Sequence, residues 1–373
     1  MTLAQPGKTT AADSLLPSAE PLQLIDQDGR SGANPGDLVV PAPGMLRELH
    51  RRMVLGRRFD TQATALAKQG RLAVYPSSRG QDACQVGAVL ALRGQDWLFP
   101  TYRDSVAILT RGVPAEETLT LLRGDWHCGY DPYAYRVAPQ CTPLATNTLH
   151  AVGLAYAARF KQEDQVALVL LGDGATSEGD THEALNFAAV WRAPVVFLVQ
   201  NNGYAISVPL AKQTAAPTLA ARGIGYGVPS LRIDGNDAAV VYAAVRAGIE
   251  RAAGGGGPTL IEAITYRIEA HTNADDATRY RGDAEVSSWL GRDPIDRLEA
   301  YLRAGALLDD AAAGRLAAEA EQLAREVRSR MNADVAADPA VLFEHVYAQP
   351  TAALERQRAA LLAELEELEE PAQ

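Results

Sequence analysis

Between residues 166 and 207 the chain reads VALVLLGDGATSEGDTHEALNFAAVWRAPVVFLVQNNGYAIS. Two unbroken apolar runs, VALVLL and PVVFLV, suit strands buried on both faces of a parallel sheet. Parallel neighbours need a crossover, and the spacing predicts one helix over 179–191 to supply it, in a right-handed βαβ unit. Each run ends in a polar cluster: Gly172-Asp173-Gly174 after the first, Asn201-Asn202-Gly203-Tyr204 after the second. In open α/β sheets ligands bind beyond the carboxyl ends of the strands, and both clusters fall at that edge. Asp173 and the side-chain carbonyl of Asn202 are hard oxygen donors, and the glycines let backbone approach a phosphate closely. A carboxylate, an amide oxygen and a backbone carbonyl, completed by diphosphate oxygens, make a magnesium site. The plainer alternative is a glycine turn followed by an unrelated Asn-Gly turn. Two matched clusters at consecutive strand ends argue against it.

The rest of the chain keeps the same rhythm. MLRELHRRMVLGRRFDTQATALAKQ, residues 45–69, has helical apolar spacing and stops before Gly70. VPSLRIDGND, DAAVVYAAVRAGIERAAGGGG and PTLIEAITYRI read as strand, helix and strand. The expected fold is therefore α/β, a doubly wound, mostly parallel sheet with an N-terminal arm and C-terminal helices. Residues 1–43, rich in Pro, Gly, Ser and Ala, read as an extended or disordered arm, although LQLIDQDG could add a short strand or pack on a neighbour. The α/β domain is expected over 44–290 and a helical extension over 291–373, with helices near 294–303 and 308–332 and an acidic amphipathic end. Thr142 or Thr146 is expected to cap the helix LHAVGLAYAARFK, and Asp180 and Thr181 the crossover helix.

The totals exclude several classes. With 373 residues the chain can bury a sizeable core. A net charge of −11 argues against broad nucleic-acid binding and against an anionic membrane surface. No apolar run reaches the ~20 residues that span a bilayer. The N-terminus lacks the pattern of a signal peptide, and Cys84, Cys128 and Cys141 are too scattered for a disulfide framework or a zinc site. A reducing cytoplasm is the simplest expectation.

Outside the opening stretch, three segments carry chemistry. Asp96–Asp104, DWLFPTYRD, ends a short strand in Tyr102-Arg103; the arginine suits either a surface ion pair or a bidentate phosphate contact. CTPLATN, residues 141–147, precedes a helix. EAHTNADDATRYRGDAE follows the strand ending in TYRI and reads as a loop; its His271 is either solvated or placed to exchange a proton with a reacting group. His127, in the irregular segment 121–140, faces either a substrate channel or an interface, and Cys128 beside it is not needed by the chemistry proposed here.

The text GDGATSEGD-HEALNFAA with NNGYAIS resembles the alpha subunit of the 2-oxo acid dehydrogenases, the decarboxylating first component of the pyruvate and branched-chain complexes. The resemblance runs over about residues 44–350. It implies thiamine diphosphate held through magnesium by Asp173, the Asn202 side chain and the Tyr204 carbonyl. It also implies that Gly172, Gly174, Ala175 and Ile206 line the cofactor, that Tyr102 and Arg103 take its distal phosphate, and that Thr142 and Leu144 flank its rings. His271 becomes the catalytic histidine, in contact with the cofactor and assisting reductive transfer to a lipoyl group.

Branched-chain relatives have a potassium ion near the 141–147 segment, where Asn147 here replaces a glutamine. The glutamate that activates the cofactor comes from a separate beta subunit, so the resemblance implies an α2β2 assembly serving a lipoyl-bearing acyltransferase. GYGVPSLRIDGND, TYRI and DDATRYR look more like branched-chain members than pyruvate members, with Val74 near the substrate pocket. Thr272 stands where animal relatives have a regulatory phosphoserine, so kinase control is not carried over. A pyruvate-specific alpha subunit and a non-catalytic scaffold that keeps the fold are the alternatives; a dinucleotide-binding oxidoreductase lacks its GxGxxG here.

Overall fold

In the computed structural model, residues 15–32, 37–125, 127–333, 338–344 and 346–369 are described. Parts of the arm (1–14 and 33–36), Trp126 in the irregular segment, and 370–373 of the helical end lie outside them. The helices and strands follow in the order α1 (Pro43–Lys68), α2 (Asp82–Leu90), β1 (Trp97–Phe99), α3 (Ser105–Arg111), α4 (Ala115–Arg123), α5 (Pro132–Tyr135), α6 (Thr146–Phe160), β2 (Ala167–Gly172), α7 (Gly179–Trp191) and β3 (Val195–Asn201). Then come β4 (Tyr204–Ala205), β5 (Val208–Pro209), α8 (Arg222–Tyr226), β6 (Ser230–Asp234), α9 (Ala238–Ala253), β7 (Thr259–Ile264), α10 (Asp283–Leu290), α11 (Pro294–Ala304), α12 (Asp310–Asn332) and α13 (Ala352–Glu369).

Five strands form one sheet in the order β1-β2-β3-β7-β6, and every pairing is parallel. The crossovers β1→β2 and β2→β3 step one way across the sheet, while β6→β7 steps back. Right-handed crossovers therefore put α6 and α7 on one face and α9 on the other. The contacts agree, since α6 packs on α7 and α9 packs on α2. This is the doubly wound α/β fold expected from the sequence. β2 and β3 are apolar on both sides because both sides are covered: Val169, Leu171, Phe197 and Val199 pack with Leu185 and Val152 from the helices.

The chain forms two compact units, Met1–Arg330 and Met331–Gln373. The second contains a turn of 3-10 helix at Pro339–Phe343 and α13. Among the described residues no helix is long and apolar enough to cross a membrane.

Two of the capping expectations fail. Among the described residues no side chain caps α6: its N-cap is Ala145, in a left-handed conformation, and neither Thr142 nor Thr146 takes that position. α7 also lacks a side-chain cap; Thr181 instead donates to the Ala175 carbonyl at 2.6 Å, tying the helix to the turn before it. In both cases the turn is shaped by what it builds at the sheet edge.

The segment 22–25 covers the open edge of β6. Leu22 N–H donates to Arg232 O at 2.9 Å, and Asp234 N–H donates to Leu22 O at 3.0 Å. Asp237 holds the crossing. One carboxylate oxygen accepts from the N–H groups of Leu24 and Ile25 at 2.7 and 2.8 Å, while the other accepts from Ala239 and Val240 at the start of α9. Arg297 from α11 adds an ion pair to Asp234 at 2.8 Å and a bond to the Ile25 carbonyl. Asp237→Ala removes a cap and leaves buried N–H groups unpaired. We expect it to lower unfolding free energy by about 2–4 kcal/mol in urea titrations and to speed proteolysis within 15–32.

Candidate active site

The register of the central strands sets the site. Gly172 pairs with Gln200, and Asn201 pairs with Ile264. The turns after β2, β3 and β7 therefore leave the sheet side by side at its carboxyl edge. β1 adds a fourth, as Thr101 bridges Cys141 and Tyr102 N–H donates to Cys141 O at 3.1 Å. That bridge brings Thr142 and Leu144 next to Arg103.

These turns enclose a cavity of about 440 Å³. It is lined by every residue that the resemblance implicated: Tyr102, Arg103, Thr142, Leu144, Gly172, Asp173, Gly174, Ala175, Asn202, Tyr204, Ile206 and His271. Val74, Asn147 and Thr272 also reach it; His127 and Cys128 do not line it.

A side chain on Gly172 would meet no atom within 4 Å, so the floor of the cavity is open above it. At Gly174 an added Cβ would lie 2.7 Å from the Ala205 Cβ; only glycine lets the two turns approach this closely. Asp173 is buried, and its carboxylate accepts from Gln213 Nε2 at 2.7 Å. Burial raises its pKa; the Gln213 hydrogen bond and the nearby Arg267 oppose that rise.

The paired asparagines part company. Asn201 donates from Nδ2 to Glu262 on β7 at 2.8 Å and serves the sheet. Asn202 faces the cavity, with its Oδ1 accepting the Tyr204 N–H at 3.2 Å. Tyr204 is fixed at its far end, where its hydroxyl donates to Glu285 at 2.9 Å. Among the described residues no cluster of three His, Cys, Asp or Glu side chains could hold a metal alone. One carboxylate, one amide oxygen and a backbone carbonyl fit a cation that arrives with phosphate oxygens.

Two buried guanidinium groups oppose this oxygen-rich wall. Arg103 donates to Ser77 O at 3.0 Å and, through Nη2, to His271 O at 3.0 Å. Arg267, which the sequence reading missed, donates to Ile206 O at 2.6 Å and to the Tyr280 hydroxyl at 2.9 Å. Both approach His271 Nδ1, at 3.0 Å from Arg103 and 3.3 Å from Arg267. Guanidinium only donates, so Nδ1 must accept and the imidazole proton sits on Nε2. Among the described residues neither arginine forms an ion pair with a carboxylate. Asp173, Asp104 and Asp275 are close enough to interact with this positive charge through space.

Behind Arg103 lies a buried frame. The Asp60 carboxylate accepts from Tyr75 OH, Ser77 Oγ and Ser78 N–H at 2.8, 2.7 and 2.7 Å, and Ser78 Oγ in turn donates to Arg103 O at 2.7 Å. Burial raises Asp60 to about 6 against these three donors. Ile206, the residue bonded to Arg267, is β-branched yet held at φ +54°. Such a conformation costs about 1–3 kcal/mol and presents the side chain at the cavity wall.

Burial, then Arg103 and Arg267, lower the His271 pKa to about 4, with Asp275 opposing. The neutral form therefore dominates at neutral pH. Because the folded value lies below the unfolded one, the contribution of this group to stability is present above about pH 6.5 and is lost as pH falls toward 4. In NMR titrations of the free chain, the His271 resonance should move near pH 4, and Arg103→Met should shift it up toward the ordinary value. A midpoint near 6.5 in the unsubstituted chain would contradict this contact geometry.

Comparisons with known proteins place the chain in a family. Residues 50–339 match the family described as dehydrogenase E1 component. The chain is 46% identical over 346 residues to a 3-methyl-2-oxobutanoate dehydrogenase subunit alpha of Mycobacterium tuberculosis, covering 93% of this chain and 94% of that protein. It is 39% identical over 285 residues to a pyruvate dehydrogenase E1 component subunit alpha of Staphylococcus aureus, covering 76% of each. A protein of the same name from Staphylococcus epidermidis is 38% identical over 293 residues, 78% of this chain and 79% of that one. A match that spans the four turns and the strands between them leaves one conclusion: the chain belongs to the dehydrogenase E1 component family, whose members depend on thiamine diphosphate.

Proposed function

We propose that the chain is the alpha half of a 2-oxo acid dehydrogenase that takes branched-chain 2-oxo acids of the 3-methyl-2-oxobutanoate type. The observation that carries this reading is the placement of Arg103 and Arg267, which among the described residues form no ion pair with a carboxylate, in one cavity with Asp173 and Asn202. A phosphate dianion would suit the guanidinium side, and a magnesium ion would suit the oxygen side. Asp173, Asn202 Oδ1 and the Tyr204 carbonyl would hold the metal. Gly172, Gly174 and Ala175 would lie along the diphosphate. Thr142, Leu144 and Ile206 would flank the rings. A potassium ion near 141–147 would compete with Asn147, which turns its amide nitrogen toward the carbonyls of Phe99, Pro100 and Leu170.

Bound thiamine diphosphate supplies the electron sink that decarboxylation of a 2-oxo acid requires. The chain's residues bind and orient it. His271, neutral and protonated on Nε2, offers an N–H hydrogen-bond donor to the reacting region. Its two arginine neighbours fix that tautomer. Val74, Leu122 and Leu144 give the same space an apolar wall.

Among the described residues lining the cavity, Asp173 is the sole carboxylate, and it is assigned to the metal. This supports a site completed by a glutamate from a beta subunit in an α2β2 assembly, with a lipoyl-bearing acyltransferase as acceptor of the acyl group. The preference for branched substrates draws on the mycobacterial relative, which matches over more of the chain than the staphylococcal ones.

The chain alone should show no 2-oxo acid decarboxylation, and activity should appear on adding the beta subunit. In that assembly kcat/KM for 3-methyl-2-oxobutanoate should exceed that for pyruvate at least tenfold; the reverse order would assign the chain to pyruvate. Asp173→Ala and Asn202→Ala should each abolish magnesium-dependent thiamine diphosphate binding by calorimetry. Unchanged binding in both would remove the site assignment.

A further inference from the structure

Behind Asn202 runs a buried chain of amides that the roles above leave unexplained. Asn202 Nδ2 lies 2.9 Å from Gln81 Oε1. Gln81 Nε2 lies 2.9 Å from Gln200 Oε1. Gln200 Nε2 lies 2.7 Å from Asp104 Oδ1. The second oxygen of Asp104 accepts from the Thr101 N–H and hydroxyl, each at 2.7 Å. All four linked side chains are buried. Burial raises the Asp104 pKa, while its hydrogen bonds from Thr101 and Gln200 oppose the rise by favouring the ionised form.

A side-chain amide has nearly the same shape either way round, but one end donates and the other accepts. Its neighbours decide which end faces where. An ionised carboxylate only accepts, so Gln200 must turn its nitrogen to Asp104. Its oxygen then faces Gln81, which must answer with nitrogen. The Gln81 oxygen is left for Asn202, which answers with nitrogen in turn. Asn202 therefore points its oxygen away from the chain, toward the Tyr204 N–H and the open cavity. Reversing any one link would set two donors or two acceptors face to face inside the protein.

We infer that Asp104, Gln200 and Gln81 form a polarity relay that presents the oxygen of Asn202, and not its NH2 group, to a metal bound with diphosphate. The three are positioning residues, and the inference rests on the thiamine diphosphate reading above. The backbone supports the arrangement: Gly80, beside Gln81, has φ +95°, and a Cβ there would lie 2.0 Å from Tyr266 O. Gln81 is thus held by a turn pressed against the exit of β7.

The test uses the full chain combined with its beta subunit. The quantity measured is the magnesium concentration that half-saturates thiamine diphosphate binding, read by calorimetry, with Tm of the unliganded assembly recorded alongside. Gln81→Leu should raise that concentration at least tenfold. The same substitution made on top of Asn202→Asp should change it less than threefold relative to Asn202→Asp alone, because a carboxylate offers an acceptor in either orientation. Asp104→Asn, which removes the acceptor-only anchor, should weaken magnesium in the Asn202 background. An unchanged requirement in Gln81→Leu overturns the relay. So does an equal loss in both backgrounds, which marks a merely structural role, and so does failure of Asn202→Asp alone to bind magnesium. If the unsubstituted assembly shows no magnesium-dependent binding, the thiamine diphosphate reading itself is what fails.

Discussion

Parallel register among β2, β3 and β7 is the constraint on which the site depends. Gly172 stands beside Gln200 and Asn201 beside Ile264, so three successive turns must leave the sheet together. The strands are short and their apolar runs end abruptly. A slip along either pairing would draw Asp173 or Asn202 into the core or push apolar residues out, at the cost of burying unpartnered polar groups. The helices on both faces enforce the same alignment. Function and fold are in this sense one requirement, because the polar ends that stop the strands are also the ligand-facing groups.

Charge is the second organising element, and it runs against the whole-chain balance. The molecule carries a net charge of −11, yet its cavity collects two buried arginines that form no ion pair among the described residues. Distant acidic groups are screened over about a Debye length, whereas contacts of a few ångströms between buried groups are screened much less. The local field therefore decides what binds. It also explains why His271, wedged between two guanidinium groups, is neutral and has a fixed tautomer.

Much of this was legible in the sequence because it is local. The apolar runs, the crossover helix over 179–191 and the two polar clusters each declare themselves within a few residues, and the structure puts the helix at Gly179–Trp191. Resemblance to a family added Arg103, Thr142, Leu144 and His271, which reach the cavity from separate turns. What stayed hidden is what only tertiary contact creates. Nothing near Arg267 announces that it will share His271 with Arg103. Gln213 joins Asp173 from a segment forty residues on in sequence. Gln81 reads as an unremarkable polar residue, since an amide gains meaning only from the partner at each end. The expectation names Asn202 and not Asn201, but its physical reason is tertiary: Glu262 takes Asn201. The helix caps were misread for the opposite reason: local preference for a side-chain cap gave way to the demands of the turns that line the site.

The strand-like segment at 22–25 has a consequence for how the molecule is made. It is synthesised early, but it lies against Arg232, Asp234 and Asp237, which follow it by more than two hundred residues. Its docking is a long-range closure that carries a large entropic cost and cannot precede β6 and α9. During synthesis and refolding, the flank of the sheet must stand open until that closure, and an open strand edge is a template for pairing with other chains. The last step in sealing the sheet is thus also the step at which folding and self-association compete, and slow closure would tip the balance toward aggregates in a protein whose native state gives no sign of the hazard.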